Sequence, residues 1–261
     1  MTIVLHELRR GKTAYIIWTA TISFMLAVSV MVYPEMKGEM DSMGEMFSSM
    51  GAFTSAFGMD RLNFGVLTGY YAIECGNVLG LGGAFYSAVC AAGILSKEEK
   101  DRTAEFLYTH PVSRIRFITE KLISVIIRVV ALNLIVFAVA ICSTVAIGES
   151  VPWKELFLIH LAYLILQIEL AGICFLLSSF MTKGSAGAGI GVATATYALN
   201  ILSNLTESLK FLKYISPYGY CDGGDIITTG TLDACKTAMG MAVCAVCVVV
   251  TYFIYTKKDI K

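Results

Sequence analysis

Six long apolar runs, separated by short polar intervals, account for most of this chain. A helix needs about 20 apolar residues to cross the hydrocarbon of a bilayer. The runs at 13–33, 71–95, 117–147, 155–181, 185–202 and 234–255 are therefore each predicted to span a membrane. Short turns at 148–154 and 182–184 separate the later spans, and two larger segments, 34–64 and 203–233, fall on one predicted side. The pattern predicts an all-α integral membrane protein, a single domain over 1–261 with six transmembrane helices. Ahead of the first span, residues 1–12 combine Ile3, Val4, Leu5 and Leu8 with Arg9, Arg10 and Lys12. This spacing suits an amphipathic lead helix lying in a membrane interface. A basic stretch before an apolar one also fits a signal peptide, but no small-x-small site follows it, so 13–33 reads as a permanent span.

The polar interval from Ser96 to Lys121 breaks the apolar pattern most strongly, with six of the twenty Lys and Arg residues and five acids. Ser96 and Glu99 have the spacing of a capping box, which predicts a short helix starting there. His110-Pro111 should end it, because proline disfavours helical geometry in the residue before it and lacks an N–H of its own. The next membrane helix then restarts near Ser113. A solvated loop would have such a composition. Phe106, Leu107 and Tyr108 set within so much charge suit docking in a partner's groove instead.

The segment 34–64 has its own periodicity. Met36, Met40, Met43, Phe47, Met50, Thr54 and Phe57 recur in steps of three and four, which predicts a helix with one methionine-rich face. Such a face either beds in the interface or, since thioethers repack readily against varied apolar shapes, forms a gate or cargo surface carried by Met40, Met43, Phe47, Met50 and Phe57. Charged groups inside spans are costly and need partners. Arg128 and Glu169 each fall roughly 17 Å into a span at about 1.5 Å per residue, which allows an ion pair between antiparallel neighbours with a structural or a translocation role. Glu74, Asn77, Asn133, Gln167 and Asn200 suit hydrogen bonds between helices.

Composition and charge sharpen this picture. With 56% apolar and 15% charged residues and a mean hydropathy of +0.70, the chain lies far from the soluble average of roughly one quarter charged. The formal net charge is zero, which gives no electrostatic case for a nucleic-acid partner. If both termini lie in the cytoplasm, thirteen Lys and Arg residues lie inside and six outside, the expected inward bias. Gly76-x-x-x-Gly80 permits close helix approach in lipid, and Gly187, Gly189 and Gly191 suit close packing or bending of the fifth span. No G-x-x-x-x-G-K-[ST] or G-x-G-x-x-G occurs, so no nucleotide loop is predicted. His6, His110 and His160 are scattered and predict no metal site. Most of the eight cysteines fall in spans. Cys221 and Cys235 share the last outer segment, where an oxidising exterior would let them bridge.

Asp101-Arg102-Thr103-Ala104-Glu105-Phe106-Leu107, Pro111-Val112-Ser113-Arg114 and Lys121 resemble the segment between the second and third membrane helices of ABC-2 type permeases. Thr103-Ala104 stands where that family's pattern has Gly-Thr. The likeness extends to the basic stretch from His6 to Lys12 and the closing Lys257-Lys258-Asp259-Ile260. It implies an ABC-2 exporter (type V-like) transmembrane domain, with 96–116 as a cytoplasmic coupling helix in which Arg102, Glu105, Phe106, Leu107, Tyr108, Pro111 and Arg114 meet the ATPase. The expected partners are an ATP-binding cassette subunit, a second permease copy (a homodimer) and membrane lipid. ATP and Mg belong to the partner subunit, and this chain has neither a cofactor nor catalytic residues. The short length and methionine-rich outer helix resemble the branch exporting hydrophobic or amphipathic peptides such as phenol-soluble modulins, from a bacterial cytoplasmic membrane. A drug, antibiotic, ion or lipid-linked molecule is the alternative cargo, and a membrane sensor or assembly protein the alternative class. An ion-coupled carrier would require internal repeats, which are not evident in the sequence.

Overall fold

A computed structural model describes residues 2–38, 51–56, 62–63, 65–100, 113–182 and 186–258. The described residues form helices and connecting turns, with no strand among them. Helix α1 (Thr2–Arg10) leads through Gly11 into α2 (Lys12–Lys37), and α3 (Gly51–Ala56) is a short turn of helix after it. The second span, α4 (Leu67–Ala92), is followed by α5 (Lys97–Lys100). The remaining spans are α6 (Arg114–Ala146), α7 (Trp153–Phe180), α8 (Ala186–Leu205) and α10 (Ala234–Lys257), with α9 (Gly223–Thr229) before the last. Six of these helices are long and apolar enough to cross a membrane.

Contacts fix an alternating arrangement with both chain termini at one end of the bundle. There, Arg114 at the start of α6 donates to the Thr256 and Lys258 carbonyls at the end of α10, and Lys258 donates to Met181 O just past α7. At the opposite end, Lys37 pairs with Glu149 at 2.9 Å and Tyr33 donates to Gly65 O. The first span was expected to stop before Pro34, but α2 runs through Pro34 to Lys37. Pro34 has no N–H to offer the Val30 carbonyl, so the helix loses one bond there, and it ends three residues later at Lys37.

Helix α7 is the centre, packed between α4 and α10; α2 packs on α6, and α8 on α4. In α7's most apolar window 61% of residues are buried, against 17% for α8 and α10, so those two leave most of their surface to the surroundings. Lipid tails are as apolar as leucine, so spans associate through shape and hydrogen bonds. Helix α4 shows both means. It widens into a π-helical segment over Gly76–Leu81, where the Tyr163 ring lies so close that a Cβ on Gly80 would sit 2.8 Å from it. Gln167 Nε2 donates to Leu79 O at 3.4 Å and Gln167 Oε1 accepts from Asn133 Nδ2 at 2.7 Å, which ties α4, α7 and α6 together. Glu74 accepts from Ser29 Oγ, joining α4 to α2. Gly189 meets the Ala88 backbone, with a Cβ placed 2.7 Å from its carbonyl oxygen.

The segment between α8 and α10 was read as an outer loop, yet its centre is folded into the bundle. Tyr218 and Tyr220 are buried; Tyr218 donates to Gly80 O, and Tyr163 donates to Cys221 O. Irregular backbone at this depth needs protein partners for its polar groups. Cys221 and Cys235 do not bridge: Cys221 is buried and donates Sγ to Ala162 O at 3.3 Å, whereas Cys235 is exposed.

Candidate functional site

Among the described residues, the densest set of buried charges lies at the termini end, where α1, α5 and α6 meet. Helix α1 turns Val4 and Glu7 inward and leaves Leu5, Arg9 and Arg10 exposed. Its apolar face was expected to lie in the membrane interface, but it packs on α6, with a carboxylate at its centre. Glu7 is completely buried and accepts from Lys121 Nζ at 2.7 Å and from Lys97 Nζ at 3.2 Å. Lys121, also fully buried, makes a second, short ion pair with Glu98. Lys97, Glu7, Lys121 and Glu98 thus form a charge-balanced chain that starts and ends on α5 and passes through α1 and α6.

Neighbouring contacts hold this chain in place. Glu120 Oε2 accepts from the Ile3 and Val4 backbone N–H groups at 3.0 and 3.3 Å, satisfying donors that a helix start leaves open. Its other oxygen accepts from Arg116 at 2.9 Å. The Lys121 ammonium lies 5.1 Å from the Phe117 ring centre, and that ring stacks on Tyr255 at 5.9 Å. Tyr255 donates to Leu95 O, two residues before Lys97. Burial alone would raise the Glu7 carboxyl, but Lys121 and Lys97 together hold it below its ordinary value. Glu7 therefore stays ionised and the chain of charges closed. The arrangement pairs no nucleophile with a base; it joins α5 mechanically to α1 and α6.

Of the residues singled out from sequence, Arg114 sits at the other edge of this region and secures the end of α10 through the Thr256 and Lys258 carbonyls. Ser113 caps α6 by accepting from Arg116 N at 3.3 Å, and a helical turn begins at Lys97. Arg102, Glu105, Phe106, Leu107, Tyr108 and Pro111 lie outside the described residues, as do Met40, Met43, Phe47, Met50 and Phe57.

Arg128 and Glu169 do not form the expected pair. The first eight residues of α6 include Arg114, Arg116, Glu120 and Lys121, so its beginning is polar and Arg128 sits level with the α1–α2 junction. There it donates to Glu7 O and, at 3.4 Å, to Cys90 Sγ. Glu169, near the middle of α7, accepts from Tyr220 Oη at 2.7 Å. Burial pushes the Tyr220 hydroxyl's pKa up, with the nearby Cys221 and Glu169 adding to it, which keeps it a donor.

Sequence reading missed Glu7 and the end-to-end role of Lys121. The available signal was an acid placed three residues after Val4 and four after Ile3, on the face predicted to be apolar.

Comparison with protein families gives a match to ABC-2 family transporter protein over residues 1–260. The chain belongs to that family. It is a multi-pass membrane protein and an ABC-2 transporter permease, the membrane subunit in such systems. Comparison with curated proteins found no match. For this permease, the stretch between α4 and α6 that resembles the family's coupling segment is the one whose flanks enter the buried chain of charges.

Proposed function

We propose that this permease is the membrane half of an ATP-driven exporter, in which two copies work with two ATP-binding cassette subunits. ATP and Mg2+ belong to the partner, since the sequence has no phosphate-binding loop of its own. Both termini face the cytoplasm of a bacterium, in keeping with the bias of Lys and Arg. The partner docks on 96–116, with Phe106 and Leu107 as apolar anchors and the surrounding charges steering. The observation that carries this reading is the closed chain Lys97–Glu7–Lys121–Glu98. A push on the coupling segment reaches α5, and through buried ion pairs it moves α1 and α6 with it. Arg114 conveys the same push to α10. These helices then shift against the central α7 and change access between the two permeases. The cargo is a hydrophobic or amphipathic peptide, a reading supported by the methionine and phenylalanine periodicity of 40–57.

Orientation and partnership are tested together. Single cysteines at positions 46 and 100, in a background lacking the native cysteines, are labelled with an impermeant maleimide on intact cells. Labelling is expected at 46 and not at 100, and the reverse would overturn the orientation. An ATP-binding subunit should co-purify with the intact permease; a permease that exports without one would end the ATP-driven reading.

A further inference from the structure

A half-open cavity of about 260 Å3 lies at the termini end, among the starts of α2 and α8 and the end of α4. Ala14, Trp18, Val89 and Ile94 form its apolar walls, and Arg128 and Lys97 supply its charge. Lys97 is paired with Glu7. Arg128 is only 6% exposed, yet no carboxylate faces it among the described residues. Its partners are a carbonyl and a thiol, and its Nε has none. A buried guanidinium without a counter-charge is costly, so an anion in this cavity would relieve it.

The level of the site narrows the choice of anion. Glu7 and Gly11 touch Arg128 where α2 begins, and Gly93 and Ile94, just past α4, line the same cavity. The ends of spans mark the headgroup layer, where tryptophans such as Trp18 are enriched. Basic pockets between spans at this level suit lipid headgroups. The cavity is smaller than the roughly 300 Å3 at which drug-sized pockets begin, which suits a phosphate and a few neighbouring atoms. We infer that the cavity binds the phosphate of an anionic membrane phospholipid, with Arg128 as its ligand and the apolar wall at Ala14 and Trp18 taking the start of the lipid tails.

The test uses the full permease in nanodiscs of phosphatidylcholine with and without phosphatidylglycerol, followed by native mass spectrometry. The wild type is expected to retain phosphatidylglycerol in preference to phosphatidylcholine. Arg128→Gln should weaken retention by about tenfold, the effect of losing one hydrogen bond to a charged group. Ala14→Phe fills the cavity while leaving the guanidinium in place, and should also release the lipid; it decides the matter if Arg128→Gln does not fold. No preference between the lipids, or full retention by Ala14→Phe, would overturn the assignment. Equal protection by free glycerol phosphate would reduce the site to one for a soluble anion and overturn the lipid assignment as well.

Discussion

Lys121→Met is the sharpest perturbation of the charge chain. It removes the cation shared by Glu7 and Glu98 and, among the described residues, leaves the fully buried Glu7 with Lys97 alone, at 3.2 Å and with a side chain 32% exposed. Breaking a buried pair costs about 3–5 kcal/mol, and the surviving Lys97 contact favours the low end of that range. Glu7→Gln keeps an acceptor and leaves Lys121 its pair with Glu98, so about 2 kcal/mol is expected, within the range for a hydrogen bond to a charged group. The double change removes one charge of each sign and leaves Lys97 and Glu98 balanced, so it should recover about 2 kcal/mol of the summed single losses. At roughly 2–4 °C per kcal/mol for a chain of this size, Lys121→Met lowers the apparent melting midpoint by about 6–12 °C. Size-exclusion of heated, detergent-solubilised protein measures it. The folded Glu7 carboxyl titrates below its ordinary value of 4.5, so its contribution is complete above that pH and is lost as pH falls through the folded value. Glu7→Gln should remove that part of the acid sensitivity. Singles that melt with the wild type, or a double whose loss is the sum of the two, would refute the reasoning.

Gly189→Val drives a side chain into the Ala88 backbone, which cannot yield as a side-chain tip can, and should cost about 1–3 kcal/mol or more; Gly191→Val meets open space in the described structure and should melt close to the wild type in the same assay. Tyr220→Phe leaves the buried Glu169 carboxyl without its donor and should cost about 1–3 kcal/mol, part of it regained on adding Glu169→Met, as read by the melting midpoints of the three variants.

The six spans were legible because a membrane helix announces itself in about 20 consecutive apolar residues. The Asn133–Gln167 and Glu74–Ser29 bonds were half legible: polar groups in spans must find neighbours, but which neighbour depends on helix packing. The Glu7–Lys121 pair joins residues more than a hundred positions apart, and Glu7 stands on a helix whose other inward residues suggested lipid. Arg128 and Glu169 fall at similar distances along their spans, but distance along a helix does not say which neighbour a side chain reaches, and Arg128 meets Glu7 O and Cys90 while Glu169 meets Tyr220. The buried stretch around Tyr218 and Tyr220 is short and carries Pro217 and Gly219, which read locally as a loop; only the Gly80, Tyr163 and Glu169 groups waiting on other helices make it part of the core.

The most direct test of the account is to replace Phe106 and Leu107 together with Ser in the permease, reconstituted in proteoliposomes with the proposed ATP-binding subunit. ATP-dependent movement of a fluorescent amphipathic peptide and the ATPase rate are then followed side by side. Both residues fall outside the spans predicted from hydropathy, so the permease should still insert, while the partner dissociates or hydrolyses ATP without moving peptide. An intact complex, with peptide-stimulated ATPase and transport equal to the wild type, would contradict the claim that this segment couples the permease to its ATPase.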